Sequence, residues 1–238
     1  MIQKDQGMRN YSPLHSPLPT PCSSVYNKKM IRHILFDLDS TLYSVLCGLE
    51  DFYFSRVREF VSSFLGLPPE ESEPLRKEGY KRHGTTIEWL TEEKGLIDKA
   101  EYFAYVHPEN EIDLLPPDPE LRPFLESLPC PCSILTNSPL FHAERVIKKL
   151  KLEGFFQQVF DIEANGYRGK PHPSSYGRAL DTFALKPEEV LFIDDSPRYV
   201  KGYLALGGRG LLLDEREIHK DYPHERIKRL SELTGFLG

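Results

Sequence analysis

The 238 residues include 30 basic and 36 acidic side chains, and the net charge of −6 is dispersed along the chain rather than gathered in blocks. That balance excludes the basic stripe of a nucleic-acid binder, no apolar run is long enough to cross a bilayer, and the apolar fraction of 39% allows a sizeable core without disulfides. The four cysteines (Cys22, Cys47, Cys130, Cys132) follow no paired framework, which fits a reducing, cytoplasmic setting, and Cys130-Pro131-Cys132 lacks the second Cys or His pair of a zinc site.

Residues 1–29 are rich in Pro, Ser, Asn and Gln without periodicity and read as a disordered leader, with no apolar core of a signal peptide. Met30, directly before the first strand, is an alternative start of translation, a hypothesis that the intact mass of the native protein decides. Ile34, Leu35 and Phe36 form an apolar strand that breaks into Asp37 and Asp39. In extended chain, residues i and i+2 point the same way, so both carboxylates face one spot. Anions held so close need a proton or a cation between them. Ser40 and Thr41 add hydroxyls and N–H groups of the kind that hold a phosphate.

From residue 44 the spacing turns helical and predicts helices over 44–66, 69–82, 85–94 and 98–106, punctuated by Gly66, Gly84 and Gly95. Residues 44–115 thus read as an all-helical insert, whose rings (Tyr53, Phe54, Trp89, Tyr102, Phe103, Tyr105) are expected mostly to pack. Pro116-Pro117-Asp118-Pro119 is a stiff joint, with Asp118 placed to cap a helix over 119–128. Strands over 132–135, 159–162, 190–193 and 211–213, the last one expected, then alternate with helices over 139–150 and 173–183 and a helix opening at Pro197. Such alternation predicts an α/β fold, a doubly wound parallel sheet built from residues 30–43 and 116–238. Ligands bind at the carboxyl ends of such strands. Three polar clusters stand there: Asp37/Asp39, Thr136/Asn137/Ser138 and Asp194/Asp195.

Four carboxylates at adjoining strand ends make a hard-oxygen site suited to Mg²⁺ with retained waters. Lys170, fixed between Gly169 and Pro171, brings a compact positive charge for a phosphoryl oxygen, and Thr136 and Asn137 offer hydrogen bonds to the others. A carboxylate so placed can attack phosphorus while its neighbour acts as acid and base. His142 and His172 read as supporting or helix-surface residues, because Asp39 already supplies the acid/base.

Phe36-Asp37-Leu38-Asp39-Ser40-Thr41-Leu42-Tyr43 resembles motif I of the haloacid-dehalogenase-like (HAD) hydrolases. Ile134-Leu135-Thr136-Asn137-Ser138 resembles motif II, Gly169-Lys170-Pro171 motif III, and Phe192-Ile193-Asp194-Asp195-Ser196 motif IV, in the family order over about residues 31–214. The insert occupies the position of the type 1 helical cap on a Rossmann-like core. The Leu42-Tyr43 ending, Phe103-Ala104-Tyr105-Val106-His107 and His142-Ala143-Glu144-Arg145-Val146 are similar to the pyrimidine 5′-nucleotidase-like group. The resemblance implies Mg²⁺-dependent hydrolysis of a small phosphomonoester, with pyrimidine nucleoside 5′-monophosphates as the subgroup's substrates, and no polymer or membrane partner. It implies Asp37 as nucleophile and metal ligand, Asp39 as acid/base with its backbone carbonyl on the metal, and Thr136, Asn137 and Lys170 on the phosphoryl group. Asp195 aligns with the direct metal ligand and Asp194 with a direct or water-mediated one; the acid/base argues against a dehalogenase. Motif IV departs from the family by continuing as Arg198-Tyr199-Val200-Lys201-Gly202-Tyr203. The alternatives are a phosphotransferase or mutase on the same fold, or a non-catalytic regulatory binding protein.

Overall fold

The computed structural model describes residues 30–237, and the expectations for residues 1–29 lie outside them. Among the described residues six strands form one sheet: β1 (His33–Phe36), β2 (Cys132–Leu135), β3 (Val159–Phe160), β4 (Val190–Asp194), β5 (Arg209–Leu213) and β6 (Arg226–Ile227). Their order is β3-β2-β1-β4-β5-β6, and every pair is parallel. The central strands β1, β2 and β4 are buried along their whole length. They are covered on both faces, which is why they read as unbroken apolar runs rather than alternating ones.

Successive side chains of β1 feed opposite layers. Ile34 and Phe36 join Leu121 and Leu125 of α5 (Leu121–Glu126) and Ala143 and Val146 of α6 (Leu140–Lys149). Leu35 joins Tyr176, Ala179 and Leu180 of α7 (Pro173–Phe183) and Tyr203 of α8 (Pro197–Leu204). Each large apolar side chain so buried contributes about 1.5–3 kcal/mol, enough in sum to hold a doubly wound sheet without cross-links. Cys47, Cys130 and Cys132 are free thiols.

Between β1 and β2 the chain makes a helical excursion through α1 (Leu49–Leu65), α2 (Pro69–His83), α3 (Thr86–Lys94) and α4 (Lys99–Val106), bounded by short 3-10 turns at Val45–Cys47 and Glu109–Leu114. It has its own core of Val57, Phe60, Trp89, Leu90, Tyr102 and Phe103, joined by Ile162 from the segment after β3. This is the expected helical cap, and most of its rings pack as foreseen.

Several boundaries differ from expectation, among them the strand over 159–162, which stops at Phe160 because Asp161 Oδ1 turns the chain by accepting from the N–H groups of Glu163 and Ala164. The first cap helix does not begin at residue 44; the chain makes a 3-10 turn and restarts after Gly48, whose φ of 86° breaks the helix. The helix expected over 119–128 contracts to α5, whose N-cap is Glu120; Asp118, two residues earlier, turns the chain into it by accepting from the N–H groups of Glu120 and Leu121 at 3.1 Å each. Nor is the strand at 209–213 the last: β6 adds two residues, too short for any pattern to mark.

Candidate active site

The order of the sheet turns around between β1 and β4, and such a switch opens a crevice at the carboxyl ends of the two strands. Phe36 pairs with Ile193, so Asp37 and Asp194 leave adjacent strands at the same level. The Asp37 N–H donates to the Ile193 carbonyl at 2.8 Å, fixing the backbone under the first carboxylate. Lys170 reaches in from the loop before α7, and its Nζ donates to Asp37 Oδ1 and to Asp194 Oδ2 at 2.6 Å each. Its side chain is 1% exposed, and an ammonium buried that deeply is tolerable only in such company. Burial alone would lower the Lys170 pKa, but the charges of Asp194 and Asp37 outweigh it and raise it. Asp37 moves up to about 7, chiefly by burial, with Lys170 pulling down and the Asp194 and Asp39 charges pushing up.

Asp39 is held differently. Its Oδ1 accepts from Tyr43 Oη at 2.7 Å and lies 2.7 Å from His142 Nε2, while Oδ2 accepts from Ser138 Oγ at 2.6 Å. Ser40, at φ 58°, folds the chain back so that Tyr43 can reach the carboxylate four residues before it. Burial would raise the Asp39 pKa, yet the His142 charge and these hydrogen bonds hold it far below the usual carboxylate range. Burial would likewise lower His142, but Asp39 first, then Glu111, lift it to about 10.

Asp194 and Asp195 share a position in sequence but not an environment. Asp194 commits Oδ2 to Lys170 and accepts the Ser196 N–H on Oδ1 at 2.8 Å. Asp195 instead lines the open cleft and is pushed up to about 9 by burial first, then by the Asp194 and Asp37 charges. Oxygens of Asp37, Asp194 and Asp195 lie within 4.8 Å of one another. An all-oxygen donor set with more negative charge than one lysine can balance fits a hard divalent cation such as Mg²⁺.

Motif II and the lysine loop hold each other. Asn137 Oδ1 accepts from the Lys170 N–H at 2.7 Å, and Asn137 Nδ2 donates to the Lys170 carbonyl at 3.1 Å. Asn137 therefore fixes the lysine backbone directly. Gly169 permits that approach: a Cβ there would stand 2.7 Å from Asn137 Oδ1 and 2.6 Å from Thr85 Cγ2. Thr136 is buried at the end of β2 and lines the cleft, its Oγ1 accepting from the Ser138 N–H at 3.0 Å.

The family model for haloacid dehalogenase-like hydrolases matches residues 31–207, which take in β1 to β4, the cap and all the residues just described. The chain belongs to this family. A phosphoglycolate phosphatase of Mannheimia succiniciproducens is 28% identical over 174 residues, covering 68% of this chain and 75% of its own. Hexitol phosphatase A of Escherichia coli is 29% identical over 183 residues, covering 74% and 80% respectively. In fold the chain is similar to a HAD phosphatase of Thermococcus onnurineus, with a TM-score of 0.59 at 22% identity over 87% of this chain and 98% of the other.

In this HAD hydrolase the cap sits down on the crevice. The turn between α2 and α3 packs on the lysine loop through Gly84, Thr85 and Gly169. Arg198, at the start of α8, donates to the Tyr80 and Lys81 carbonyls at 2.9 and 3.0 Å, and Tyr80 Oη meets Tyr199 Oη at 3.0 Å. The space left is a cavity of about 390 Å³, walled by the motif residues below and by Tyr53, Phe54, Arg76 and Tyr80 above. Asp37, Asp39, Thr136, Asn137, Lys170 and Asp195 all line it, while Asp194 lies behind Lys170.

Of two residues around Asp39, one escapes a sequence reading; the other, His142, supports Asp39, which is one of its two expected roles. His142 is not on a helix surface; it is fully buried. Glu111 carries no motif at all, yet its carboxylate lies 2.6 Å from His142 Nδ1 and 2.9 Å from His107 Nδ1. Its spacing of four from His107 was the one available signal. His172 caps α7 through its ring and takes no part in the crevice.

Proposed function

We propose that this chain is a Mg²⁺-dependent phosphatase of small phosphomonoesters, working through a phosphoryl group carried on Asp37. The observation behind this reading is the pairing of two unlike carboxylates: Asp37, bound to a buried lysine, and Asp39, two residues on, bound to proton-bearing groups. Asp37 attacks phosphorus, and Asp39, ionised at rest, passes a proton from its hydrogen-bonded neighbours to the ester oxygen as it leaves. Water then attacks the aspartyl phosphate, Asp39 takes its proton, and phosphate departs. Tyr43, Ser138 and His142 surround Asp39, so a proton is at hand for each exchange. Lys170 and the N–H groups after β2 neutralise the phosphoryl oxygens, and Thr136 completes that cradle. Asp37, Asp195, the Asp39 carbonyl and, behind Lys170, Asp194 would hold Mg²⁺, which supplies charge neutralisation and alignment. The cap contacts of Arg198 and Tyr80 exclude bulk water.

The phosphatase relatives support a small, polar substrate. The rings of Tyr53, Phe54, Tyr80 and Tyr199 around the cavity favour a second reading, a nucleoside monophosphate whose base stacks there, with pyrimidines the better fit to the subgroup resemblance. The test is phosphate release with Mg²⁺ from phosphoglycolate, a hexitol phosphate, UMP, CMP and purine monophosphates. Release should vanish on chelation and fall about 10³-fold or more in Asp37→Asn. Turnover surviving in Asp37→Asn would sink the mechanism, and no release from any ester by the intact enzyme would sink the function.

A further inference from the structure

α6 follows motif II and presents His142 and Arg145 toward the segment that returns from the cap. Both nitrogens of the buried His142 ring meet carboxylates: Nε2 lies 2.7 Å from Asp39 Oδ1, and Nδ1 lies 2.6 Å from Glu111 Oε1. Glu111 is itself fully buried, and its other oxygen lies 2.9 Å from His107 Nδ1. Arg145 closes the group, donating to the His107 carbonyl at 3.0 Å and standing 3.9 Å from Glu111 Oε1. Charges buried this way are costly, and apolar residues of like volume would hold the cap joint at least as well. The arrangement therefore calls for a role beyond stability, and its free end is Asp39.

A carboxylate turns about its terminal torsion unless both oxygens are held. Ser138 holds Oδ2, while Tyr43 and His142 share Oδ1. Tyr43 sits on the same short loop as Asp39 and moves with it, whereas His142 is fixed to a different element and braced from behind by Glu111. We propose that His142, anchored by Glu111, is a positioning residue that aims the Asp39 carboxylate at the departing ester oxygen. This rests on the phosphatase reading above and adds the residue that makes its acid/base effective. A misaimed acid hurts most where the leaving group needs a proton most. An alkoxide leaves poorly without one; p-nitrophenolate leaves well without help.

The experiment compares kcat/KM, with Mg²⁺, for glycerol 1-phosphate and p-nitrophenyl phosphate in the intact protein, His142→Gln and Glu111→Gln. The alkyl ester should lose about 10–100-fold in His142→Gln, while the aryl ester changes by less than about three-fold. Glu111→Gln, which keeps the volume and an acceptor for Nδ1, should show the same bias at smaller size and serves if His142→Gln does not fold. Equal losses on both esters, or none, would overturn the proposal, since a merely structural role has no leaving-group preference. An intact enzyme inactive on both esters and on every ester of the panel above would remove the phosphatase reading and this proposal with it; one active only on a panel ester is compared on that alkyl ester and on phenyl phosphate instead, and an active one whose variants keep the same ratio would remove only this proposal.

Discussion

Glu88 shows how much a single carboxylate oxygen can matter. It lies on α3 facing the lysine loop, and its Oε2 is buried without a hydrogen-bond partner. Burial first, then the neighbouring Glu92 charge, push it up to about 7, against the pull of His83, Arg168 and the Gly169 N–H. Its folded pKa lies above the unfolded value of about 4.3, so the folded state holds the proton more tightly. The stabilisation is complete below that unfolded value and is lost as pH rises toward 7. Glu88→Gln should then leave stability nearly unchanged at pH 4.5 and raise it at pH 8 by on the order of 1–3 kcal/mol, read as a higher urea midpoint. Equal midpoints at pH 8 would mean that the charge is well solvated after all.

Among the elements, α8 explains where motif IV departs from the family pattern. Gly202 lets this helix lie against the loop after Lys170: a Cβ there would stand 2.8 Å from both Pro171 Cβ and Tyr176 Oη. Tyr176 cannot yield easily, because its hydroxyl donates to the Tyr199 carbonyl at 2.7 Å. Gly202→Ala should therefore cost about 1–3 kcal/mol through overpacking, more than the roughly 1 kcal/mol that alanine returns in helix propensity. A stabilised Gly202→Ala protein would disprove that account of the packing. The strands that carry the site were legible for a simple reason. Each is a buried apolar run cut off by polar residues, and parallel order puts all those cuts at one edge. Asp37, Asp39, Thr136 and Asp195 could be read that way, and Lys170 from its place between Gly169 and Pro171. Glu111 could not, because the 3-10 turn at 109–114 has no periodicity and its burial depends on α6, some thirty residues later. His142 was visible but misjudged in part: the spacing of α6 does not say that the helix faces a cap joint on one side. The Asn137 bridge to Lys170 was hidden likewise, since a motif names the residue types and not which backbone they bind.

At the scale of the whole molecule the crevice concentrates more negative charge than the fold neutralises by itself. With Asp37 raised to about 7 and Asp195 to about 9, both above an unfolded value of about 3.9, the metal-free protein is favoured by protons at these sites. It loses that stability progressively as pH climbs from about 4 through 7 and on to 9. Mg²⁺ should reverse the loss by pairing with the ionised carboxylates. The rise in Tm on adding Mg²⁺ should accordingly be larger at pH 8.5 than at pH 5.5, and should shrink in Asp195→Asn. A Mg²⁺ response independent of pH would place the ion elsewhere.

The cap leaves the sheet after Tyr43 and comes back past His107 and Glu111. Both crossings are wired to one carboxylate, Tyr43 directly and Glu111 through His142. The excursion is thus tied to the core at both ends, and in its middle as well, through Gly84, Thr85 and the contacts of Tyr80 with Arg198 and Tyr199. A displacement of the helices between residues 49 and 106 would therefore be felt at the lysine loop and at α8 as well as at Asp39.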